Sequence, residues 1–146
     1  MEKKYLFFDI DGTLTNRATG GIVPSAKEAL QRLEENGHFV AIPAEEEERL
    51  TMKSLVGHLR FEPEYLMFQP DNKRGGILNM MEYLEADKKD VVVFGDDYND
   101  MDMFHSDWLS IAMGNGCQAL KEKADYVTDT NVNDGIKKAC EHFGWI

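Results

Sequence analysis

FFDIDGTLT, at residues 7–15, places two carboxylates two positions apart, where an apolar strand runs into a Gly/Thr turn. Side chains two apart on a strand point to the same face, so Asp9 and Asp11 face the same way. The run from Tyr5 to Phe8 is continuously apolar, which is typical of a strand buried on both faces of a parallel sheet. The two acids therefore stand at the carboxyl end of that strand, where open α/β sheets bind their ligands.

Two carboxylates this close repel each other unless a cation or a proton lies between them. The pair is therefore costly as structure alone and suited to Mg²⁺ binding or to general acid/base chemistry. The alternative is an Asx-type turn, in which each Asp accepts hydrogen bonds from local backbone N–H groups. Asp9 and Asp11 are thus candidate functional residues, with the turn as the competing interpretation.

A second apolar strand that ends in acids lies further along the chain, in VVVFGDDYND at residues 91–100. Strands and helices alternate between the two stretches, which predicts a parallel, doubly wound sheet. The carboxyl ends of parallel strands meet at one edge of a sheet. We therefore expect the acids of this stretch to lie close to Asp9 and Asp11.

The stretch DIDGTLT at residues 9–15 resembles the first motif of the haloacid dehalogenase (HAD) superfamily of phosphohydrolases, and GDDYND at 95–100 resembles its fourth motif. AMGNG at 112–116 and ADYVT at 124–128 resemble the Cof-like sugar-phosphatase branch, so the resemblance covers nearly the whole chain. It implies an α/β fold, a three-layer Rossmann-like HAD core with a mainly parallel sheet. It also implies Mg²⁺-dependent hydrolysis of small phosphate monoesters.

The resemblance assigns the covalent chemistry to three residues. Asp9 matches the nucleophile that attacks phosphorus and forms an aspartyl-phosphate. Asp11 matches the group that protonates the leaving alcohol and later activates water. Lys73 stands in the place of the third-motif lysine, which balances negative charge, although it could equally be an exposed helix lysine, and Arg74 could serve instead.

The same resemblance implies a Mg²⁺ site of carboxylates and one carbonyl, ligands that suit this hard cation. The expected metal residues are Asp9, Asp11 through its backbone carbonyl, Asp96, and Asp100 as a ligand or as a partner of the ligands. The expected substrate-binding residues are Gly12, Thr13 and Asn99, the first two through backbone N–H groups of their turn.

The second strand departs from the family pattern. In VAIPAEE, residues 40–46, Ala44 stands where the family has a Ser or Thr that holds a phosphoryl oxygen, and Glu46 stands where this branch has an Arg. A donor is lost and a negative charge is added near an anionic site. We therefore expect weak activity, and the alternative is a catalytically impaired relative that only binds phosphate or metal.

The large α/β cap of the Cof-like branch is also largely missing, because the segment between the second strand and Lys73 is too short for it. Residues 45–69 are either a cap remnant or an α/β unit of the core. A truncated gene, an engineered cap deletion and a naturally capless phosphatase would all give this sequence. An open site favours promiscuous activity, and a neighbouring subunit could close it in a homo-oligomer.

Composition limits the other functions. The 146 residues are predicted to form a single HAD-like core domain, 1–146. A net charge of −11 argues against binding to nucleic acid or to anionic membranes. The two cysteines form no CxxC pair, and no signal-like or membrane-spanning apolar run is present, so we expect a cytoplasmic protein that acts on a small phosphorylated substrate.

Periodicity predicts the elements between the motifs. Asn16 to Gly21 is expected to be a polar loop. Strands are expected at 5–8, 38–42, 65–68, 109–113 and 126–127 and from Val91 onward, and helices at 24–36, 45–59, 73–86, 100–106, 118–123 and 133–143.

Overall fold

The computed structural model describes residues 2–41 and 73–146, with Lys73 described for its backbone alone. The predicted helix 45–59, the predicted strand 65–68, Ala44 and Glu46 lie outside the described residues. The single-domain prediction for 1–146 stays a prediction. Within the described ranges, no helix is long and apolar enough to cross a membrane.

Strands and helices alternate along the described chain. The strands are β1 (Tyr5–Phe8), β2 (Phe39–Ala41), β3 (Val91–Gly95), β4 (Leu109–Ala112) and β5 (Tyr126–Val127). The α-helices are α1 (Pro24–Glu35), α2 (Lys73–Tyr83), α3 (Gln118–Lys123) and α4 (Gly135–His142), and 3₁₀ turns cover Lys88–Asp90, Tyr98–Met103 and Asn131–Asn133.

The five strands form one parallel sheet in the order β2-β1-β3-β4-β5. The interior strand β1 pairs with both β2 and β3, so that Tyr5 is opposite Phe39 on one side and Val91 on the other. At the far end of β1, Phe8 is opposite Phe94 of β3. The predicted α/β fold with a mainly parallel, Rossmann-like sheet is confirmed.

Helices cover both faces of this sheet. The side chains of β1 alternate between two buried clusters, and each cluster contains helix residues. Phe8 stacks on Phe94 at 4.6 Å between ring centroids, in the cluster that includes the buried face of α1 and α4. Phe7 lies in the other cluster, with Ile77 and Met80 of α2. Each large apolar side chain buried in this way contributes about 1.5–3 kcal/mol to the free energy of folding. Packing of helices on both faces of the sheet therefore holds the ends of the strands in fixed positions.

The α1 prediction was accurate because its signals are local. Proline starts the helix, the helix ends at Glu35, and Gly37 adopts a left-handed φ of +89° just beyond it. The predicted helix at 100–106 is instead a 3₁₀ helix over Tyr98–Met103. It begins earlier because the Asp97 carboxylate accepts a hydrogen bond from the Tyr98 N–H at 2.7 Å and caps it there.

Candidate active site

Two neighbouring strands deliver their acids to the same point. Asp9 follows β1, and its backbone N–H extends the β1–β3 pairing by donating to the Phe94 carbonyl at 3.0 Å. Asp96 follows β3 directly. Carboxylate oxygens of Asp9, Asp96 and Asp100 all lie within 4.8 Å of one another. The structure therefore brings together three of the acids that the sequence nominated.

These three acids are withdrawn from solvent. The exposed fractions are 8% for Asp9, 5% for Asp96 and 0% for Asp100. Burial raises the pKa of Asp96, because the charged carboxylate loses hydration, while hydrogen bonds with Asp9 and Arg17 act in the opposite direction. A buried cluster of hard oxygen donors that favours a nearby positive charge fits Mg²⁺, which is bound through one or two carboxylates together with water and phosphate oxygens.

Asp100 has a structural task inside this cluster. Its Oδ2 accepts hydrogen bonds from the backbone N–H groups of Asp96 at 2.9 Å and Asp97 at 3.1 Å. Asp100 therefore holds the turn that carries Asp96. Gly95 leaves it room, because a Cβ on Gly95 would lie 2.7 Å from the Asp100 Cβ.

Asp11 stands at the edge of the site. It is exposed, and the Thr15 hydroxyl donates to its Oδ1 at 3.4 Å. Among the described residues, the carboxylate group within 4.8 Å consists of Asp9, Asp96 and Asp100 without Asp11. The backbone carbonyl of Asp11 accepts a hydrogen bond from Arg17 at 3.1 Å. Arg17 also contacts Asp96, so the backbone carbonyl is the Asp11 oxygen that shares a partner with Asp96.

Arg17 is the site residue that the sequence analysis missed. Its Nη2 lies 3.0 Å from Asp96 Oδ2 and 3.5 Å from Asp97 Oδ2, in addition to the Asp11 carbonyl. The hydrogen bond with Asp96 and the charges of the neighbouring acids raise the pKa of Arg17. The sequence signal that could identify it is a basic residue in the loop immediately after the acidic motif, a segment predicted only to be a polar loop.

The Gly12–Thr13 turn lies against Asp96. Gly12 has a φ of +81°, and a Cβ added there would overlap Asp96 Oδ2. The Thr13 hydroxyl donates to Asp96 Oδ1 at 3.5 Å. The Gly12 N–H donates to the Thr15 carbonyl and the Thr13 N–H to the Ile10 carbonyl, so a phosphoryl oxygen would share these donors. Substrate binding by Gly12 and Thr13 stays a prediction.

Two asparagines that the sequence analysis did not nominate fix this turn from the far end of the chain. Asn115 donates through Nδ2 to the Gly12 carbonyl at 2.8 Å, and its Oδ1 accepts from the Asn131 N–H at 3.0 Å. Asn131 in turn donates to the Thr15 carbonyl at 2.9 Å. Asn115 lies in the AMGNG stretch, which resembles the Cof-like branch as a whole, but no sequence signal pointed to Asn115 itself.

For the other predicted site residues, Asn99 and Lys73, the structure neither supports nor contradicts the predicted roles. Asn99 is exposed on the 3₁₀ helix that follows Asp97. Lys73 is the first residue of α2, and its side chain lies outside the described part of the chain. Arg74, the alternative to Lys73, is exposed, and its backbone N–H donates to Asp102 at 3.2 Å. The roles of Asn99 and Lys73 stay predictions.

Known proteins resemble this chain over much of its length. A family model described as haloacid dehalogenase-like hydrolase matches residues 6–69 and 59–140, which is more than half of the chain. A 5-amino-6-(5-phospho-D-ribitylamino)uracil phosphatase of Bacillus subtilis is 40% identical over 72 residues, covering 49% of this chain and 29% of the relative. A phosphoglycolate phosphatase of Methanosarcina acetivorans is 37% identical over 78 residues, covering 51% of this chain and 34% of the relative.

The chain thus spans about a third of the length of these two curated relatives. A solved structure with lower sequence identity matches a larger share of this chain. The crystal structure of 3-deoxy-D-manno-octulosonate 8-phosphate phosphatase from Moraxella catarrhalis, in complex with magnesium ion, phosphate ion and KDO, superposes with a TM-score of 0.75 at 22% identity. It covers 96% of this chain and 84% of that one, so the described layers are those of this fold.

Proposed function

This chain belongs to the haloacid dehalogenase-like hydrolases, and from that premise we propose that it is a Mg²⁺-dependent phosphatase of small phosphate monoesters. The observation that carries the proposal is the convergence of Asp9, Asp96 and Asp100 carboxylate oxygens within 4.8 Å at the carboxyl edge of the sheet. Both curated relatives named above are phosphatases by name.

We assign the covalent step to Asp9. A carboxylate oxygen of Asp9 attacks phosphorus, and the bond from phosphorus to the alcohol oxygen breaks, which leaves an aspartyl-phosphate. Asp11 gives its proton to the departing alcohol oxygen. It then takes a proton from the water that attacks the phosphoryl group, and inorganic phosphate and free Asp9 result. The exposure of Asp11 suits this exchange with leaving group and water.

The proposed metal residues are Asp9 and Asp96 through carboxylate oxygens and Asp11 through its carbonyl, with Asp100 holding Asp96 through the turn. When bound, Mg²⁺ supplies charge neutralisation and Lewis-acid polarisation of the phosphoryl oxygens. In the proposal Lys73, Gly12, Thr13 and Asn99 contact the phosphorylated substrate.

We further propose that turnover is weak and that the protein discriminates little between different phosphate esters. Ala44 and Glu46 replace a hydroxyl donor and a cation of the family pattern, which removes attraction for the transferring phosphoryl group. The segment between β2 and α2 is too short for the large cap of the Cof-like branch, so little remote binding energy is available to distinguish leaving groups. A neighbouring subunit in a homo-oligomer could supply the missing wall.

The test is hydrolysis of p-nitrophenyl phosphate by the wild type and by Asp9→Asn, each with Mg²⁺ and with EDTA. Turnover that requires Mg²⁺ and disappears in Asp9→Asn is the expected result. Mg²⁺ binding by calorimetry without turnover in the wild type would favour the second candidate, a metal- and phosphate-binding relative. That candidate is motivated by the substitutions at Ala44 and Glu46.

Selectivity is tested with a panel of isomeric sugar phosphates, read together with the oligomeric state from light scattering. We expect kcat/KM to differ mainly with leaving-group reactivity. A preference of ~10⁴-fold for one isomer, which requires dedicated polar contacts, would refute the open-site proposal while leaving phosphatase activity intact.

A further inference from the structure

We propose that Arg17 is an internal counter-cation that competes with Mg²⁺ for the site and thereby sets its metal affinity. The inference rests on the proposed function, because it takes Asp96 and the Asp11 carbonyl as metal ligands. It goes beyond that function by giving a role to a residue that neither the motifs nor the proposed chemistry uses.

The geometry of one nitrogen atom carries the proposal. Arg17 Nη2 lies 3.0 Å from Asp96 Oδ2 and 3.1 Å from the Asp11 carbonyl oxygen. These are two of the oxygens proposed to coordinate Mg²⁺. A Mg²⁺ ion that bridges the same two oxygens at about 2.0–2.1 Å would place its charge beside that of the guanidinium, because Arg17 Nη2 already bridges them. Repulsion between the two cations therefore favours binding of the ion when Arg17 has moved away.

The charges of the neighbouring carboxylates explain why a cation is stabilised at this position. Asp96 is 5% exposed and shares a hydrogen bond with Asp9, and Asp97 contributes a further carboxylate 3.5 Å from Arg17. A buried carboxylate without a partner carries a large desolvation cost. Arg17 offsets that cost from the solvent side, because its own side chain is 54% exposed.

Hydrogen bonds hold the backbone of the loop that presents Arg17 on both sides of that residue. The Asn16 N–H donates to the Gly21 carbonyl at 2.9 Å, and the Asn16 carbonyl accepts from Thr19 and Gly20. Asn16 Oδ1 also accepts from the Ala18 N–H at 2.9 Å. Because these bonds fix the backbone on both sides of Arg17, exchange of Arg17 for a metal ion needs rotation of one exposed side chain only.

The expected change in the apparent Kd for Mg²⁺ follows from competition between Arg17 and the ion. When a site is open only part of the time, the apparent dissociation constant rises by the reciprocal of the open fraction. A partly exposed ion pair of this kind holds the closed state several-fold more often than the open one. Removal of the guanidinium should therefore lower the apparent Kd for Mg²⁺ by about twofold to sixfold.

The experiment titrates MgCl₂ alone into the full chain by calorimetry, comparing wild type, Arg17→Gln and Lys27→Gln. The last variant is a matched control, because it removes one positive charge from an exposed position on α1. We expect a lower Kd in Arg17→Gln and an unchanged Kd in Lys27→Gln. Melting in EDTA supplies a second readout, with a lower Tm for Arg17→Gln and a larger Tm increase on adding Mg²⁺.

A direct readout is the Arg17 Nε–H resonance in nitrogen-15 NMR, identified by its loss in Arg17→Gln. It should shift as Mg²⁺ saturates the wild type. An unchanged resonance, or an Arg17→Gln Kd equal to or higher than the wild-type value, overturns the inference. If the wild type still hydrolyses p-nitrophenyl phosphate with Mg²⁺, the proposed function survives that outcome, whereas absence of Mg²⁺ binding in every variant removes both.

Discussion

Gly12 is the residue on which the packing of the acidic site depends most directly. Its φ of +81° is strained for a residue with a side chain, and a Cβ would overlap the Asp96 carboxylate. We expect Gly12→Ala to lower the free energy of unfolding by more than ~2 kcal/mol, because the left-handed conformation alone costs about 1–2 kcal/mol. Urea unfolding in EDTA measures this without any contribution from metal binding.

Gly20 provides the matched control for Gly12. It has a φ of +74°, and nothing lies within 4 Å of the position of an added Cβ. Gly20→Ala should therefore cost only the backbone strain. If the two alanine variants lose equal stability, contact between residue 12 and Asp96 is not what requires glycine there.

Ala44 offers a test of the second-motif alignment, although it lies outside the described residues. Ala44→Thr should raise turnover of p-nitrophenyl phosphate by up to ~100-fold, since one hydrogen-bond donor to the transition state is worth ~2–3 kcal/mol. Ala44→Val adds similar bulk without a hydroxyl and should give no gain. Equal rates for both variants, each shown to be folded, would count against the alignment.

The turn from β3 into the 3₁₀ helix Tyr98–Met103 depends on two reciprocal caps. Asp97 accepts from the N–H that opens the helix, and the buried Asp100 accepts from the N–H groups of Asp96 and Asp97. We expect Asp100→Ala to lower the free energy of unfolding by ~2–3 kcal/mol, because it leaves buried backbone donors without their charged acceptor.

The exposed cap should matter less. Asp97→Ala should cost about 1 kcal/mol, the ordinary value for loss of a helix N-cap. Both variants are compared by urea unfolding in EDTA, so that loss of a metal residue does not enter. A larger effect for Asp97 than for Asp100 would contradict this account of the turn.

His38 joins three distant parts of the chain. Its Nδ1 accepts from the Lys4 N–H at 3.0 Å ahead of β1, it stands directly before β2, and it hydrogen-bonds the backbone of Trp145 near the chain's end. Asn36 supports the same contact by donating to the Trp145 carbonyl at 2.8 Å. The buried imidazole therefore links the beginnings of β1 and β2 to the C-terminal segment.

This link should make stability depend on pH. Burial, followed by the charge of Lys4, lowers the pKa of His38 below its ordinary value of 6.5. The unfolded chain then binds a proton more readily than the folded one, so the stabilising contribution is complete above pH 6.5 and is lost as pH falls below it. Urea unfolding in EDTA at pH 5 to 8 should show a steeper decline for wild type than for His38→Gln. Parallel curves would contradict the assignment.

Several features of this protein can be predicted from local sequence patterns alone. The bounds of β1, α3 and β5 agree with prediction, because burial on both faces and helical periodicity are written in neighbouring residues. The convergence of Asp9 with Asp96 and Asp100 followed from one further rule, that parallel strands end at a common edge. The family followed from the same acidic motifs.

The surroundings of those acids depend instead on contacts between residues that are distant in the sequence. Arg17 meets Asp96 across 79 positions of the chain, Asn115 meets Gly12 across 103, and Asn131 meets Thr15 across 116. Nothing in the residues next to Arg17 or Asn131 specifies these partners. They are chosen when the packed sheet brings the loops after its strands together, where buried carboxylates and carbonyls require donors.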